Sequence, residues 1–252
     1  MLDILHHDGG ITEIRLARPP VNALNHALLS ALREAVTQAP RQGARGIVLS
    51  GAPGIFSAGV DIPALLGQDR ATVGAYWREF FGLCATLAAA PVPMVAAVTG
   101  HSPAGGAVLA LFCDYRVMAE GPFRIGLNEV QVGLVVPDCI QFALRRVVGT
   151  YRAERLLVAG AMIEAEPALA CGFVDETTMP EQVIPRALRW MTELLALPPR
   201  AMLATRELAR ADLRAVWSDP DRLPLEAFLD GFFQEETQAV LQQLVARLKS
   251  KH

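Results

Sequence analysis

The amino-acid sequence predicts an α/β fold that continues into a helical C-terminal region. As far as residue 197, short apolar runs typical of buried strands alternate with segments whose apolar residues recur every three or four positions. Beyond residue 197 only the helical spacing continues. The chain has 252 residues, of which 52% are hydrophobic, and this is enough to bury one large core. We therefore expect a core over residues 1–197 and a helical appendage over residues 198–252.

The first predicted elements are a β-hairpin and a helix. Leu2–His6 and Ile11–Leu16 resemble short strands, and the Asp8-Gly9-Gly10 sequence between them is typical of a turn. The two adjacent prolines in Ala17–Asn25 exclude a helix there, so this segment is either a plain connection or one wall of a ligand site. Asn25 is then placed to cap a helix that runs to about Gln38.

Two buried strands with glycine-containing loops follow. The strand Gly46–Ser50 leads into the loop Gly51–Asp61, whose small residues let a ligand approach the backbone, and a short helix begins at Asp61. This loop has neither the lysine of a phosphate-binding loop nor the glycine spacing of a dinucleotide site. A helix over 69–89, whose aromatic residues are predicted to lie in the core or line a pocket, precedes a strand over Met94–Thr99.

The stretch from Val98 to Pro137 carries the candidate chemistry. A strand-like run ends at Gly100, and an apolar helix begins at Gly105-Gly106, so unpaired N–H groups and the positive end of a helix dipole predict an oxyanion site. Glu129 lies in an apolar neighbourhood, where a carboxylate needs a proton, a partner or a function. We interpret it as a base. Alternatively, the glycines only permit close packing, and Glu129 caps a helix or pairs with an arginine.

The apolar residues that predict this neighbourhood of Glu129 are Ile125, Leu127, Val130, Val132, Leu134, Val135 and Val136.

The remaining elements are predicted to be mostly helical. The spacing of apolar residues predicts helices over 137–148, 152–159, 164–171, 181–197, 199–217 and 224–249. One short strand is predicted at Phe173–Glu176.

Composition excludes several classes of protein. The net charge of −3 and pI near 6.0, with no basic stripe, argue against a nucleic-acid partner. The cysteines are widely spaced and have no nearby histidine pair, so we expect reduced core residues and no metal site. We expect a cytoplasmic protein without a membrane partner, because no leader pattern and no apolar run of spanning length is present.

A serine hydrolase is a rival interpretation, because Gly100–Ala104 imitates the start of a nucleophile elbow. In an elbow the residue after the serine donates its backbone N–H to the oxyanion. Here that residue is Pro103, which has no N–H, and Ala104 replaces the second glycine. The sequence therefore argues against this class.

Several motifs together resemble the crotonase (enoyl-CoA hydratase/isomerase) superfamily, and within it the enoyl-CoA delta isomerases of the mitochondrial β-oxidation type. The matching segments are Phe56–Asp61, Gly100–Gly106, Cys113–Arg116, Gly126–Gly133 and Phe232–Lys249. The resemblance implies a β-β-α superhelix and an acyl-CoA substrate whose CoA is part of the thioester, with no separate cofactor and no metal. It also implies a homotrimer or a dimer of trimers, with the C-terminal region completing the pocket and forming subunit contacts.

The resemblance also assigns roles to individual residues. The backbone N–H groups of Val60 and Gly105 would form the oxyanion hole, and Glu129 would be the acid/base. Lys249 or Arg18 would meet the CoA phosphates. The residues that would line the CoA chain and adenine are Val21, Ala23, Ala58, Asp61 and Ile62.

Val108 separates two reactions within this family. Hydratases of the family carry two glutamates that position and activate water, and the first lies three residues after the oxyanion glycine, where this chain has Val108. One carboxyl group is enough to move a proton from C2 to C4. We therefore expect isomerisation of 3-enoyl-CoA to trans-2-enoyl-CoA. The alternatives are another single-acid reaction, such as thioester hydrolysis or weak hydration, and a non-catalytic acyl-CoA-binding protein.

Overall fold

The computed structural model describes residues 1–218, 223 and 225–250. The strands in this part of the chain are β1 (Leu2–His7), β2 (Ile11–Leu16), β3 (Gly46–Ser50), β4 (Gly54–Ile55), β5 (Met94–Val98), β6 (Gly100–Pro103), β7 (Tyr115–Ala119), β8 (Ile125–Gly126) and β9 (Glu176–Thr178). The helices are α1 (His26–Arg41), α2 (Ile62–Leu65), α3 (Arg70–Ala88), α4 (Gly105–Leu111), α5 (Asp138–Val148), α6 (Thr150–Ala159), α7 (Ala165–Cys171), α8 (Val183–Leu195), α9 (Pro199–Ala209), α10 (Ala211–Trp217), α11 (Leu225–Phe232) and α12 (Glu235–Lys249).

The strands form two sheets. The larger has the order β1-β2-β3-β5-β7-β9, in which only the β1–β2 hairpin is antiparallel. The smaller is parallel and has the order β4-β6-β8. In each of three consecutive units a strand of the large sheet is followed by a strand of the small sheet and then by helix: β3-β4-α2, β5-β6-α4 and β7-β8-α5. This repeat stacks turn on turn, because parallel neighbours require a crossover between them.

The core lies on both faces of the large sheet. On one face, alternate strand residues such as Leu49 and Ala96 pack with helices α1, α3 and α4. On the other face, Val48, Val95 and Val117 pack against Met191 and its neighbours on α8. Both faces are therefore covered, as expected of strands that are apolar on both sides.

Several predicted elements are confirmed with small shifts. The hairpin is present, and the side chain of Asn25 accepts a hydrogen bond from Leu28 N at 2.9 Å, which caps α1 as predicted. That helix runs three residues beyond the predicted end, to Arg41. Asp61 and Asp69 cap α2 and α3 in the same way.

Other predictions of secondary structure were wrong. The strand predicted at Phe173–Glu176 lies later in the chain, at Glu176–Thr178, because Phe173 and Val174 are buried in the turn that follows α7. The helix predicted over 199–217 breaks at Arg210, and the one predicted over 224–249 breaks between Phe232 and Glu235. Its predicted first residue, Pro224, lies outside the described residues.

A buried ion-pair network attaches the start of the C-terminal region to the core. The carboxylate of Asp114, which precedes β7, lies 2.9 Å from Arg206 Nη2 and 3.1 Å from Arg210 Nη1. Arg210 also donates to the carbonyl oxygen of Phe112 at 2.8 Å. The break between α9 and α10 therefore occurs at Arg210, whose guanidinium contacts the C-terminal end of α4.

No helix of the described residues is long and apolar enough to cross a bilayer.

Candidate active site

One cavity of about 660 Å³ brings together the predicted site residues. It lies between the loop before α1, the loop before α2, the start of α4 and the C-terminal helices. The predicted residues that line it are Val21, Ala23, Ala58, Val60, Asp61, Ile62, Gly105 and Glu129.

One wall of the cavity is the proline-containing loop predicted from the sequence. Arg18 Nη2 lies 2.8 Å from Oδ2 of Asp61, and Arg18 Nη1 donates to the carbonyl oxygen of Ala23 at 2.8 Å. Asn22, with φ of +51°, donates from its side chain to Phe56 O at 3.1 Å and accepts from Arg18 N at 2.8 Å. Arg18 and Asp61 therefore form an ion pair within this wall.

Two glycines bring the candidate donor loops into contact. Gly59 has φ of +77°, and a Cβ atom there would lie 2.8 Å from Pro103 O and 3.1 Å from Gly105 N. Only glycine permits both this conformation and this approach. Val60 follows Gly59 directly, so the two predicted N–H donors, on Val60 and Gly105, lie on adjacent loops at the cavity wall.

Neither donor is used by the secondary structure around it. Leu24 pairs with this loop through its own N–H, which donates to Gly59 O at 2.8 Å, and through its carbonyl oxygen, which accepts from Asp61 N at 3.1 Å. The N–H of Val60, which lies between these two residues, takes no part in this pairing. Gly105 is the first residue of α4, where N–H groups have no partner within the helix. Ala104 before it has φ of +45°, an unusual conformation for a non-glycine residue.

Glu129 lies later in the Val98–Pro137 stretch, at the start of a single 3₁₀ turn, Glu129–Val132. Its Oε2 atom is buried and has no hydrogen-bond partner in the described part of the chain. Burial raises the pKa of this carboxyl to about 7. Neither alternative interpretation fits, since Glu129 forms no ion pair with an arginine of the described residues and its side chain caps no helix there.

The apolar surroundings of Glu129 differ in part from those predicted. Val132 and Leu134 do line the cavity with it. Val130 and Val135 do not, and they are 41% and 73% exposed. These two side chains face outward, and residues outside the predicted set, such as Ile140 on α5, line the cavity beside Glu129.

An aromatic wall runs from Gly105 toward the C-terminal region. A Cβ atom on Gly105 would lie 3.4 Å from Phe80 Cε2, and the rings of Phe80 and Trp77 are 5.4 Å apart. Trp77 in turn lies 4.3 Å from Phe228 on α11. The helical spacing of Trp77 and Phe80 supported their prediction as core or pocket residues, whereas Phe228 was not predicted individually.

Helix α12 supplies further lining, of which only Lys249 was named individually from the sequence. Its cavity residues are Leu244, Val245, Leu248 and Lys249. Both predicted phosphate-binding cations, Lys249 and Arg18, therefore border the cavity, but Arg18 is already paired with Asp61. The described residues contain no group of three histidine, cysteine or acidic side chains that could hold a metal ion.

Comparison with known proteins gives consistent matches over almost the whole chain. A family model for enoyl-CoA hydratase/isomerase matches residues 6–250. Human mitochondrial enoyl-CoA delta isomerase 1 is 31% identical over 245 residues, which cover 96% of this chain and 81% of the relative. A probable enoyl-CoA hydratase, echA17, of Mycolicibacterium paratuberculosis is 34% identical over 228 residues, covering 87% and 84%. The crystal structure of human mitochondrial delta3-delta2-enoyl-CoA isomerase has a TM-score of 0.94 at 30% identity, covering 99% of this chain and 98% of that one.

Proposed function

Because this chain belongs to the enoyl-CoA hydratase/isomerase family, we propose that it is an isomerase that converts 3-enoyl-CoA to trans-2-enoyl-CoA. The predicted crotonase-like superhelix and the family resemblance are confirmed. The relatives include proteins named as isomerases and as hydratases, so the choice of reaction depends on the cavity itself.

The observation that carries the proposal is a single available acid. Among the described residues that line the cavity, the carboxyl groups are those of Asp61 and Glu129. Asp61 is paired with Arg18 at 2.8 Å, whereas Glu129 has a partner-free oxygen and a pKa of about 7. Val108, at the position of the first hydratase glutamate, is fully buried in the core and is not part of the cavity lining. An isopropyl group there can neither orient nor deprotonate water.

One carboxyl group is sufficient for the proposed proton transfer. The carboxylate of Glu129 removes a proton from C2, and the electron pair of that C–H bond delocalises into the thioester carbonyl to give a dienolate. The same carboxyl returns the proton to C4, so that C3=C4 is lost and C2=C3 forms without change in composition. A carboxyl with a pKa of about 7 can act in both directions near neutral pH.

The N–H groups of Val60 and Gly105 are proposed to hold the dienolate oxygen. Support comes from their adjacent positions on the cavity wall and from the absence of secondary-structure roles for them. Each donor of this kind contributes roughly 3 to 4 kcal/mol of transition-state stabilisation. The proposed residues along the CoA chain are Val21, Ala23, Ala58, Asp61 and Ile62.

Of Lys249 and Arg18, Lys249 is the better candidate for binding a CoA phosphate, because Arg18 is already paired with Asp61. The expected homotrimer or dimer of trimers stays a prediction, which light scattering of the purified protein tests. The expected cytoplasmic location also stays a prediction, and the human relative at 31% identity is named as mitochondrial.

The decisive experiment is Glu129→Gln assayed with 3-enoyl-CoA. We expect a loss of kcat of about 10³-fold, in the range that positioned acid–base groups contribute, with CoA-ester binding retained because size and shape change little. Glu34→Gln, on the exposed side of α1, is the matched control and keeps full activity. Retained turnover in the Glu129 variant would remove it from the proposed role.

A panel of other acyl-CoA substrates distinguishes the alternatives. Hydration deserves direct measurement with trans-2-enoyl-CoA, since one relative is named as a probable hydratase. Release of free CoA measures thioester hydrolysis. Binding of acyl-CoA without any conversion would identify a non-catalytic binding protein. Hydration faster than isomerisation would contradict the argument from Val108.

A further inference from the structure

We propose that Thr237, on the C-terminal helix α12, is a positioning residue that fixes the turn carrying Glu129. The proposal rests on the proposed function in one respect, namely that Glu129 is the base. It concerns a residue from the far end of the chain, 108 positions beyond Glu129 in the numbering.

Thr237 forms a direct hydrogen bond to the turn. It is only 2% exposed, and its Oγ1 donates to the carbonyl oxygen of Gly133 at 2.8 Å. Gly133 ends the turn with φ of +75°, and a Cβ atom on it would lie 3.1 Å from Thr237 Cα. The helix therefore approaches the turn to near backbone contact, and the left-handed glycine makes this approach possible.

The hydrogen bonds within the turn connect Gly133 to Glu129. The N–H of Gly133 points to the carbonyl oxygens of Glu129 and Val130, and the N–H of Leu134 donates to Glu129 O at 3.0 Å. Gly133 thus accepts the Thr237 hydroxyl through its carbonyl oxygen, and its N–H is directed at the carbonyl oxygen of Glu129. A shift of Gly133 moves Glu129 with it.

The other side of the turn is held by the loop after α6. Gln131 Nε2 donates to Gly160 O at 2.8 Å, and a Cβ atom on Gly160 would lie 2.8 Å from Val130 Cγ2. The turn is therefore hydrogen-bonded on one side to this loop and on the other to α12. If the Thr237 bond is removed, Gln131 still holds one side, so we expect a change in the aim of the carboxyl while the overall fold is kept.

The carboxyl of Glu129 depends on this backbone support. Its Oε2 has no hydrogen-bond partner in the described part of the protein, so no neighbouring side chain holds that oxygen in direction. A displacement of about 1 Å of a reacting group is enough to reduce a rate by about a hundredfold. Small changes at Gly133 should consequently appear in kcat.

The test compares Thr237→Val, which removes the hydroxyl at nearly constant shape, with Thr237→Ser, which restores it. For 3-enoyl-CoA we expect kcat to fall at least tenfold in the valine variant with KM changed less than threefold, and to recover to within threefold of the wild-type value in the serine variant. Thr192→Val is the control, because the Thr192 hydroxyl also donates to a carbonyl oxygen, that of Leu188 at 2.9 Å, but at an exposed position of α8. Circular dichroism at the assay temperature confirms that each variant is folded.

A second measurement does not depend on turnover. In protein labelled with ¹³C at glutamate carboxyl carbons, the resonance missing from Glu129→Gln identifies Glu129, and its titration is followed by NMR. We expect a midpoint near 7 in the wild type and a lower midpoint in Thr237→Val, because a less constrained turn lets water reach the carboxyl. These variants leave the other charged groups of the cavity and of helices α6 and α12 in place. They include Arg18, Asp61, Lys249, Glu154, Glu235 and Glu236.

The outcomes separate the two proposals. Wild-type kcat and midpoint in Thr237→Val, or an equal loss in the valine and serine variants, would overturn the role of Thr237. Absence of isomerase activity in the wild-type protein would instead overturn the proposed function, and the NMR titration would still decide whether Thr237 sets the environment of Glu129.

Discussion

Replacing Glu129 with glutamine should change how the stability of the protein depends on pH. In the folded protein burial raises the pKa of Glu129 to about 7, from an ordinary value of 4.5. Between pH 4.5 and pH 7, the carboxyl of Glu129 is therefore protonated in the folded state but ionised in the unfolded state. The free energy of unfolding therefore falls as the pH rises from about 4.5 to about 7, and the deficit stays constant above that range.

The size of this effect follows from the two pKa values. Each pKa unit corresponds to about 1.4 kcal/mol, so the full deficit at alkaline pH is about 3 kcal/mol. The glutamine side chain has nearly the same shape but does not titrate. Relative to the wild type, the variant should therefore gain up to about 3 kcal/mol between pH 4.5 and pH 8.

Urea unfolding at a series of pH values from 5 to 8, followed by circular dichroism at constant protein concentration, measures this difference. The change in the difference with pH is the relevant quantity, because it cancels the pH-independent cost of burying an amide. Glu34→Gln, which alters an exposed carboxyl, should give a curve parallel to that of the wild type. Parallel curves for wild type and Glu129→Gln would refute the conclusion that burial perturbs Glu129.

Three further predictions test catalysis, the loop contact and the C-terminal attachment. The value of kcat/KM for 3-enoyl-CoA should rise through pH 7 to a plateau, because Glu129 must lose its proton before it can act as a base, and a flat profile from pH 5 to 9 would contradict this. Gly59→Ala should lower kcat at least tenfold by pushing Pro103 away, whereas Gly9→Ala, which has a similar φ of +76° but open space around it, should keep the activity in the same assay. Asp114→Ala should lower the free energy of unfolding by about 3 kcal/mol in urea titrations, because it leaves the guanidinium of Arg210, only 5% exposed, without its carboxylate; a loss below about 1 kcal/mol would argue against that role.

The parts of the structure that were predictable are those specified by local chemistry. Asn25 and Asp61 cap their helices because a short polar side chain can accept from an N–H two or three residues later. Gly105 marks the start of α4 because an apolar helix follows a strand end with no room for a side chain. These signals lie within a few residues of each other, so the sequence alone reveals them.

The parts that were wrong depend on contacts between distant segments. The break at Arg210 has no local helix breaker, and its cause is the attachment of the guanidinium to Phe112 and Asp114. Val130 and Val135 were predicted to surround Glu129, but both are exposed, and only the tertiary structure shows which side chains of this stretch are enclosed. For the same reason Phe228 could not be assigned to the cavity from the sequence.

The structure also indicates why the proposed base, Glu129, is held through its backbone. A hydrogen bond or an arginine directed at the carboxylate would fix its position but would stabilise the charged form and lower its pKa, which weakens it as a base. Glu129 has neither partner at Oε2 and keeps a pKa of about 7. Precision must then come from the turn, whose ends are held by Gln131 and, through Gly133, by Thr237. The Thr237 contact thus positions the carboxyl without touching it, so its loss should misplace Glu129 and lower the pKa of the carboxyl only as far as water then reaches it.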